Sequence, residues 1–363
     1  MPHTPTHTRM RSTALPWQWA ALALALLVTM VMATTWGSVD IAPRTVAQMV
    51  WHQWLQVWGM DAADPSPWSA QHFQIVWMIR LPRVLMAALA GAALALVGVV
   101  MQAMVRNPIA DPYLLGVSSG ASVGAVSVLA FGAGAWAGLW AINLAAFAGA
   151  LVATLVVYRI GWTGQRLHMT RLVLGGVAVG YVLAGVTSLI TLLSAQRDLA
   201  SAVLSWTLGS LAGTQWNELP IPCAVLLASL VWLTGHARAL NALMTGDETA
   251  GTLGVETHRL RRMLFVVLSL LTGTVVAVSG CIGFVGLVIP HGVRLCVGHD
   301  HHRLLVLAPM AGAVFLVQVD LVARTAFAPT ELPVGVITAL IGGPVFVWML
   351  VRDASRGYTH AAR

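Results

Sequence analysis

The stretch RLPRVLMAALAGAALALVGVVMQAMVRNPIADPYLLGVSSGASVGAV (80–126) decides the architecture. Its residues 82–105 form an apolar run long enough to cross a ~30 Å hydrocarbon core as a helix. Arg80 and Arg83 mark one end of the run and Arg106 the other. Pro108 and Pro112 break helix, while Asn107 and Asp111 favour turns, so RNPIADP (106–112) reads as a sharp reversal. A second apolar run, 114–131, follows it. The stretch therefore reads as two membrane helices joined by a tight turn.

Working outward, the same pattern recurs along the chain. Ten apolar segments run at 17–36, 82–105, 114–131, 136–159, 171–195, 218–235, 262–281, 283–297, 303–324 and 333–351. The eighth is short and contains Pro290. The polar, Gly-containing stretch 196–217 is expected to re-enter as a short helix. Arg9 and Arg11 precede the first segment as they would in a signal peptide. Its apolar run is too long for one, however, and no small-residue cleavage site follows, so it is kept as a mature helix. The expectation is an all-α polytopic membrane protein of about ten helices. It forms one domain over 1–363, with a cytoplasmic tail at 1–16.

Composition agrees. The chain has 363 residues, of which 58% are apolar and 9% charged, with a mean hydropathy of +0.79. Soluble domains carry about 25% charged residues. All 20 basic residues are Arg. With no Lys, the chain cannot be an ordinary P-loop ATPase, and Schiff-base and Lys-base chemistry are excluded. Cys223, Cys281 and Cys296 lie in apolar stretches and suggest neither a disulfide framework nor a metal site. With ten spans, 15 Arg fall on the side of the termini. The other side has five: Arg44, Arg80, Arg83, Arg197 and Arg324. The positive-inside rule then places both termini in the cytoplasm. The net charge of +7 is thus a topology signal and no nucleic-acid footprint.

Several local patterns carry expectations. In the outer segment 37–80, Trp51, Trp54 and Trp58 follow Pro43 at helical spacing, the pattern of an interfacial helix with an aromatic belt. AGAALALVGVVMQAMVRNP and TGTVVAVSGCIGFVGLVIP align at an offset of 182, matching Gly91 to Gly273, Gly98 to Gly280 and Pro108 to Pro290. Five spans separate them, so they are read as an inverted repeat, common in transporters. In the loop 236–262, LNALMTGDETAGTLGV reads as two short helices split at Gly246. Asp247 and Glu248 open the second helix and Gly254 ends it. Leu240, Leu243, Met244 and Leu253 are apolar on this otherwise wet loop, which points to a covered surface. His299, Asp300, His301 and His302 form a solvated turn with no second ligand cluster nearby, and His3 and His7 are read the same way.

The 80–126 stretch resembles the FecCD-type permease family, membrane subunits of ABC importers for ferric siderophores, haem and cobalamin. GDETAGTLGVETHRLRR (246–262), SGCIGFVGLVIPHGVRL (279–295) and DLVARTAFAPTELPVGVITALIGGPVFVWML (320–350) agree. The resemblance covers about 80–350; the first 75 residues show none.

On bare physics, Arg80 and Arg83 are helix-end anchors, and Asp320–Arg324 is an i,i+4 pair. The resemblance implies more. Arg80, Arg83 and Arg324 would receive carboxylates of a periplasmic binding protein, for which the guanidinium fork is suited. Asn107 and Ile109, with Met169 and Thr170, would form the cytoplasmic gate. Gly246, Asp247, Glu248, Leu253 and Gly254 would couple to the ATPase. Gly175, Gly176 and Gly180 of the fifth span, with Thr338, Gly342 and Gly343 of the tenth, would line the path. The implied assembly is a homodimer in the bacterial inner membrane. It has two cytoplasmic ATPase copies using ATP, one binding protein, and no covalent cofactor or metal on this chain. Alternating access would import an iron complex, with haem favoured over a ferric siderophore and cobalamin as the alternative. An ion-coupled carrier would place ionisable groups at mid-membrane, where the spans hold almost none.

Overall fold

The computed structural model describes residues 15–59, 68–132, 135–164, 166–194, 196 and 198–361. The tail up to residue 14, with His3, His7, Arg9 and Arg11, lies outside the described residues, as does Arg197. The helices run α1 (Leu15–Thr35), α2 (Pro43–Val57), α3 (Ala70–Phe73), α4 (Leu81–Val105), α5 (Val117–Phe131), α6 (Ala141–Gly161), α7 (Met169–Leu193) and α8 (Leu199–Thr207). They continue as α9 (Pro220–Gly235), α10 (Ala237–Met244), α11 (Asp247–Thr252), α12 (Thr257–Ser279), α13 (Val285–Val297), α14 (His301–Thr325) and α15 (Val334–Ala361). A two-residue ladder, β1 (Trp162–Thr163) against β2 (Arg166–Leu167), closes the turn before α7.

Seven helical stretches are long and apolar enough to cross a membrane, and α5, α13 and the first part of α15 are shorter apolar helices. Each expected span therefore has its helix. The second starts earlier than expected. Pro82 lacks an N–H, yet a π-helical stretch, Gln74–Arg80, carries the backbone past it. The result is a continuous 36-residue helix, Ala70–Val105, about 54 Å long at 1.5 Å per residue. The short helix expected in 196–217 is α8.

This long helix is the hub, and most of α4 is buried. Gly91 lies directly on the backbone of Gly312 in α14, and Gly98 on that of Gly286 in α13. No Cβ fits at either contact, and small residues are what let membrane helices approach so closely. The apolar core runs from Ala33 to Ile337 through almost every span. Thr154, Ser269 and Thr274 turn their hydroxyls onto carbonyls four residues back at 2.7, 2.7 and 2.6 Å. These buried hydroxyls are thus satisfied within their own helices.

Between α12 and α13 the chain unwinds over residues 280–284, with Gly280 and Phe284 both at φ +67. The Tyr113 hydroxyl accepts from Ile282 N and donates to Ile282 O, each at 3.0 Å. α13 begins at this break. Its 13 residues span about 20 Å, short of a full crossing. Of the three pairs aligned at offset 182, Gly91 and Gly273 both lie inside helices, while the other two differ in local structure. Gly98 is mid-helix whereas Gly280 lies past a helix end, and Pro108 is in a turn whereas Pro290 is inside α13. α2 forms as expected, with Pro43 in its first turn and Trp51 stacked on Trp54 at 5.2 Å.

Candidate functional site

Three places carry expected functional residues, and a fourth, lined by none of them, lies beside the expected path helix α7. At the α1/α4/α14 end, Arg80, Arg83 and Arg324 converge on one cavity of about 400 Å³. All three are buried, at 4%, 5% and 8% exposure. Arg80 donates to the Thr34, Thr35 and Val39 carbonyls at 3.0, 2.9 and 2.6 Å, capping the C-terminus of α1. Arg83 donates through Nε to Asp320 at 2.8 Å and through Nη1 to Glu331 at 2.7 Å. Arg324 bonds the Ala33 carbonyl and makes a looser 3.5 Å ion pair with Asp320. The i,i+4 pair expected from sequence therefore exists, but Arg83 holds Asp320 more closely. Asp320, Glu331 and, beside Arg80, Asp40 offset these three cations, so the cluster carries much less free positive charge than three unpaired arginines would give. The pairing of Glu331 with Arg83 has no local sequence signal, because the two lie 248 residues apart.

The turn after α4 is held by its own side chains. Asn107 Oδ1 accepts from Ile109 N at 3.0 Å, and Asp111 Oδ1 from Tyr113 N at 2.7 Å. Burial pushes the Asp111 carboxyl up to about 6, against the lowering effect of that bond. Met169 and Thr170 open α7, the first half-buried and the second exposed. No hydrogen bond among the described residues joins them to Asn107 or Ile109. The two segments meet instead where Gly176 packs on the Leu114 carbonyl.

α10 and α11 split at Gly246 (φ +115), and Gly254 (φ +81) follows α11, both as the sequence predicts. Asp247 is bound bidentately by Arg261 at 2.6 and 2.7 Å. Partial burial raises its carboxyl, but Arg261 outweighs this and holds it below the ordinary value. Glu248 and Leu253 are exposed. Leu240 and Leu243 are fully buried in the chain's own core, so of the four apolar loop residues only Met244 and Leu253 remain for a partner. A side chain at Gly246 would reach Arg106 at 3.6 Å, which puts this loop beside the Asn107 turn.

The histidine turn, expected to be solvated, is partly buried. Asn241 of α10 accepts from His301 N at 2.9 Å and donates to Asp300 at 2.8 Å, which buries His301. Among the described residues no cluster fit to hold a metal is present.

The fourth place is a groove of about 640 Å³ between α5, α7 and α8. Ser119, Ser122, Thr187, Ser188, Thr191 and Thr207 line it alongside aliphatic side chains, with no charged residue. α7 is the least covered span, with only 17% of its apolar window buried. The path glycines divide. Gly175 meets Ile160, Gly176 meets Leu114, and Gly342 meets Phe284, so these three serve internal packing. Gly180 is half-exposed, and Gly343 has no neighbour within 4 Å. Thr338 is buried and bonds the Gly335 carbonyl at 3.0 Å.

A model of the FecCD transport family matches residues 25–352. The chain belongs to this family. The match reaches back into the first span, further than the sequence motifs extend. The vitamin B12 import system permease protein BtuC of Salmonella paratyphi A is 43% identical over 291 residues, covering 80% of this chain and 88% of that one. BtuC of Salmonella typhimurium gives the same figures. A metal-chelate type ABC transporter solved in an inward-facing conformation is 28% identical, with a TM-score of 0.79 over 93% of this chain and 99% of that one. This FecCD chain is therefore a permease subunit of an ABC importer, a transport component whose ATPase is a separate subunit.

Proposed function

We propose that this permease imports a corrinoid of the cobalamin class. The carrying observation is the 43% identity to vitamin B12 permeases over most of both chains, which displaces the leaning towards haem. The chemistry of the α5/α7/α8 groove supports the same cargo. Corrinoids carry peripheral amides, which hydroxyl groups can bind, whereas haem carries two carboxylates that call for cations, and none lines this groove. The iron-complex reading draws support from the metal-chelate transporter, at lower identity.

In this reading the chain works as a homodimer in the bacterial inner membrane, with α7 and α15 facing the twofold path and both termini cytoplasmic. Two ATPase subunits bind the α10–α11 loop through Glu248, Met244 and Leu253. A periplasmic binding protein docks over Arg83 and Arg324, while Arg80 holds α1 in place behind them. Motion of the loop reaches the Asn107–Ile109 turn through the Gly246–Arg106 neighbourhood. The chain itself carries no cofactor. The test is uptake of labelled cyanocobalamin, haem and a ferric siderophore by a permease-deficient strain given this chain with its cognate ATPase and binding protein. Cyanocobalamin uptake alone is the expected result; haem or siderophore uptake alone returns the assignment to an iron complex.

A further inference from the structure

Beside α2 lies an open apolar groove of about 870 Å³, within the roughly 300–1,000 Å³ range of small-molecule sites. Leu27 and Val31 of α1 form one wall, and Val50, Trp51 and Trp54 of α2 the other. The Thr34 hydroxyl also borders it but is spent on the Met30 and Val31 carbonyls, both at 2.9 Å.

Arg44 is the one charged residue lining the groove. It is exposed, and its guanidinium makes no ion pair with any described residue. It stands in the first turn of α2. The cap residue there, Ala42, offers no side-chain acceptor, and the turn contains no acidic residue. A side-chain cation and the positive end of a helix dipole thus share one end of an apolar groove. Two further features fix its setting. Trp51, Trp54 and Trp58 are exposed along α2, the first two stacked and the last tilted against Trp54, the arrangement of an aromatic belt at headgroup depth. Leu24, Leu27 and Val28 of α1 are exposed beside it, where only lipid suits them.

We propose that this groove binds one anionic phospholipid, with its phosphate on Arg44 and the first turn of α2 and an acyl chain along Leu27 and Val31. The apolar walls select the chain and the unpaired cation selects the anion. A zwitterionic lipid offers the same chains, but its own cation opposes Arg44.

The experiment titrates the purified full-length chain in detergent, by native mass spectrometry, with phosphatidylglycerol or phosphatidylcholine of identical acyl chains. The wild type is expected to prefer phosphatidylglycerol about fivefold, the effect of one cation near an anionic lipid surface. Arg44→Glu abolishes that preference. Ala47→Trp fills the groove and removes both. Inorganic phosphate does not compete. Equal wild-type affinities, a preference that survives Arg44→Glu, or unchanged binding in Ala47→Trp overturns the site. Displacement of the lipid by inorganic phosphate replaces it with a free-anion site. A Val50→Cys disulfide between two copies, above the native-cysteine background, assigns the groove to a second chain instead.

Discussion

α4 and α7 are both apolar helices of 25 residues punctuated by glycine, yet they sit in opposite environments. The stretch containing α4 has 78% of its apolar window buried, and α7 has 17%. Glycines on α4 meet other backbones, while on α7 Gly185 meets nothing within 4 Å. The same residue type therefore serves close packing at both α4 positions, but on α7 it divides between packing at Gly175 and Gly176 and open surface at Gly185. Apolarity alone separates membrane from water but does not separate hub from lining.

The largest expected effect tests this difference directly. Gly98→Leu drives a side chain into the Gly286 backbone and should cost several kcal/mol, at or beyond the usual range for overpacking. The expected outcome is loss of folded protein in detergent, read by size-exclusion chromatography. Gly185→Leu should shift stability by less than about 0.5 kcal/mol while reducing uptake. If both variants fold equally well, the contrast between hub and lining is lost.

Next comes the ion cluster that ties α4 to α14. Asp320→Ala leaves Arg83 and Arg324 without their shared buried carboxylate. Breaking such a pair costs about 3–5 kcal/mol, visible as a fall in thermal unfolding temperature. Arg83→Glu, attractive from sequence as a docking probe, would disturb the same buried cluster and so confound docking with folding.

The turn that ends α4 gives a pH-dependent test. Because burial raises the Asp111 carboxyl to about 6, the folded chain favours its protonated form. Its contribution to stability therefore grows as pH falls through 6, by up to about 3 kcal/mol for a two-unit shift. Asp111→Asn should flatten the pH 7.5-to-5 change in unfolding temperature relative to wild type. Parallel profiles would remove Asp111 as the cause.

The smallest effect separates docking from packing on α4. Glu331 is 47% exposed at its side chain, so its pair with Arg83 is worth at most about 1 kcal/mol. Glu331→Gln should leave unfolding unchanged while freeing an edge of Arg83 for a binding-protein carboxylate, raising the association rate. Surface plasmon resonance with the cognate binding protein measures this; an unchanged rate would mean Arg83 serves only the fold.

The helices of all ten apolar segments were readable because apolar length is a local property of sequence, although only seven of the described stretches are long and apolar enough to cross a membrane. So were the Gly246 split, the Gly254 stop and the first turn of α2, each set by one or two residues. The arginines were readable as important, but their partners were not. Arg83 finds Glu331 across 248 residues, and Arg80 finds backbone carbonyls, which have no sequence signature. Leu240 and Leu243 looked like a partner surface because burial against the chain's own core leaves no local mark. The hydroxyl-lined groove was hidden for a related reason. Its Ser and Thr come from three helices, and many of their hydroxyls also bond their own backbones, so neither spacing nor composition sets them apart.

The Tyr113 contact has a consequence for fault tolerance. Elsewhere in the bundle a polar group is usually served by its own helix, so the loss of one side chain strands little. At the break between α12 and α13, both backbone groups of Ile282 depend on a single phenolic oxygen. No second component shares that duty in the hydrogen bonds described. Removing one atom would disconnect two groups at once, so this break has little redundancy.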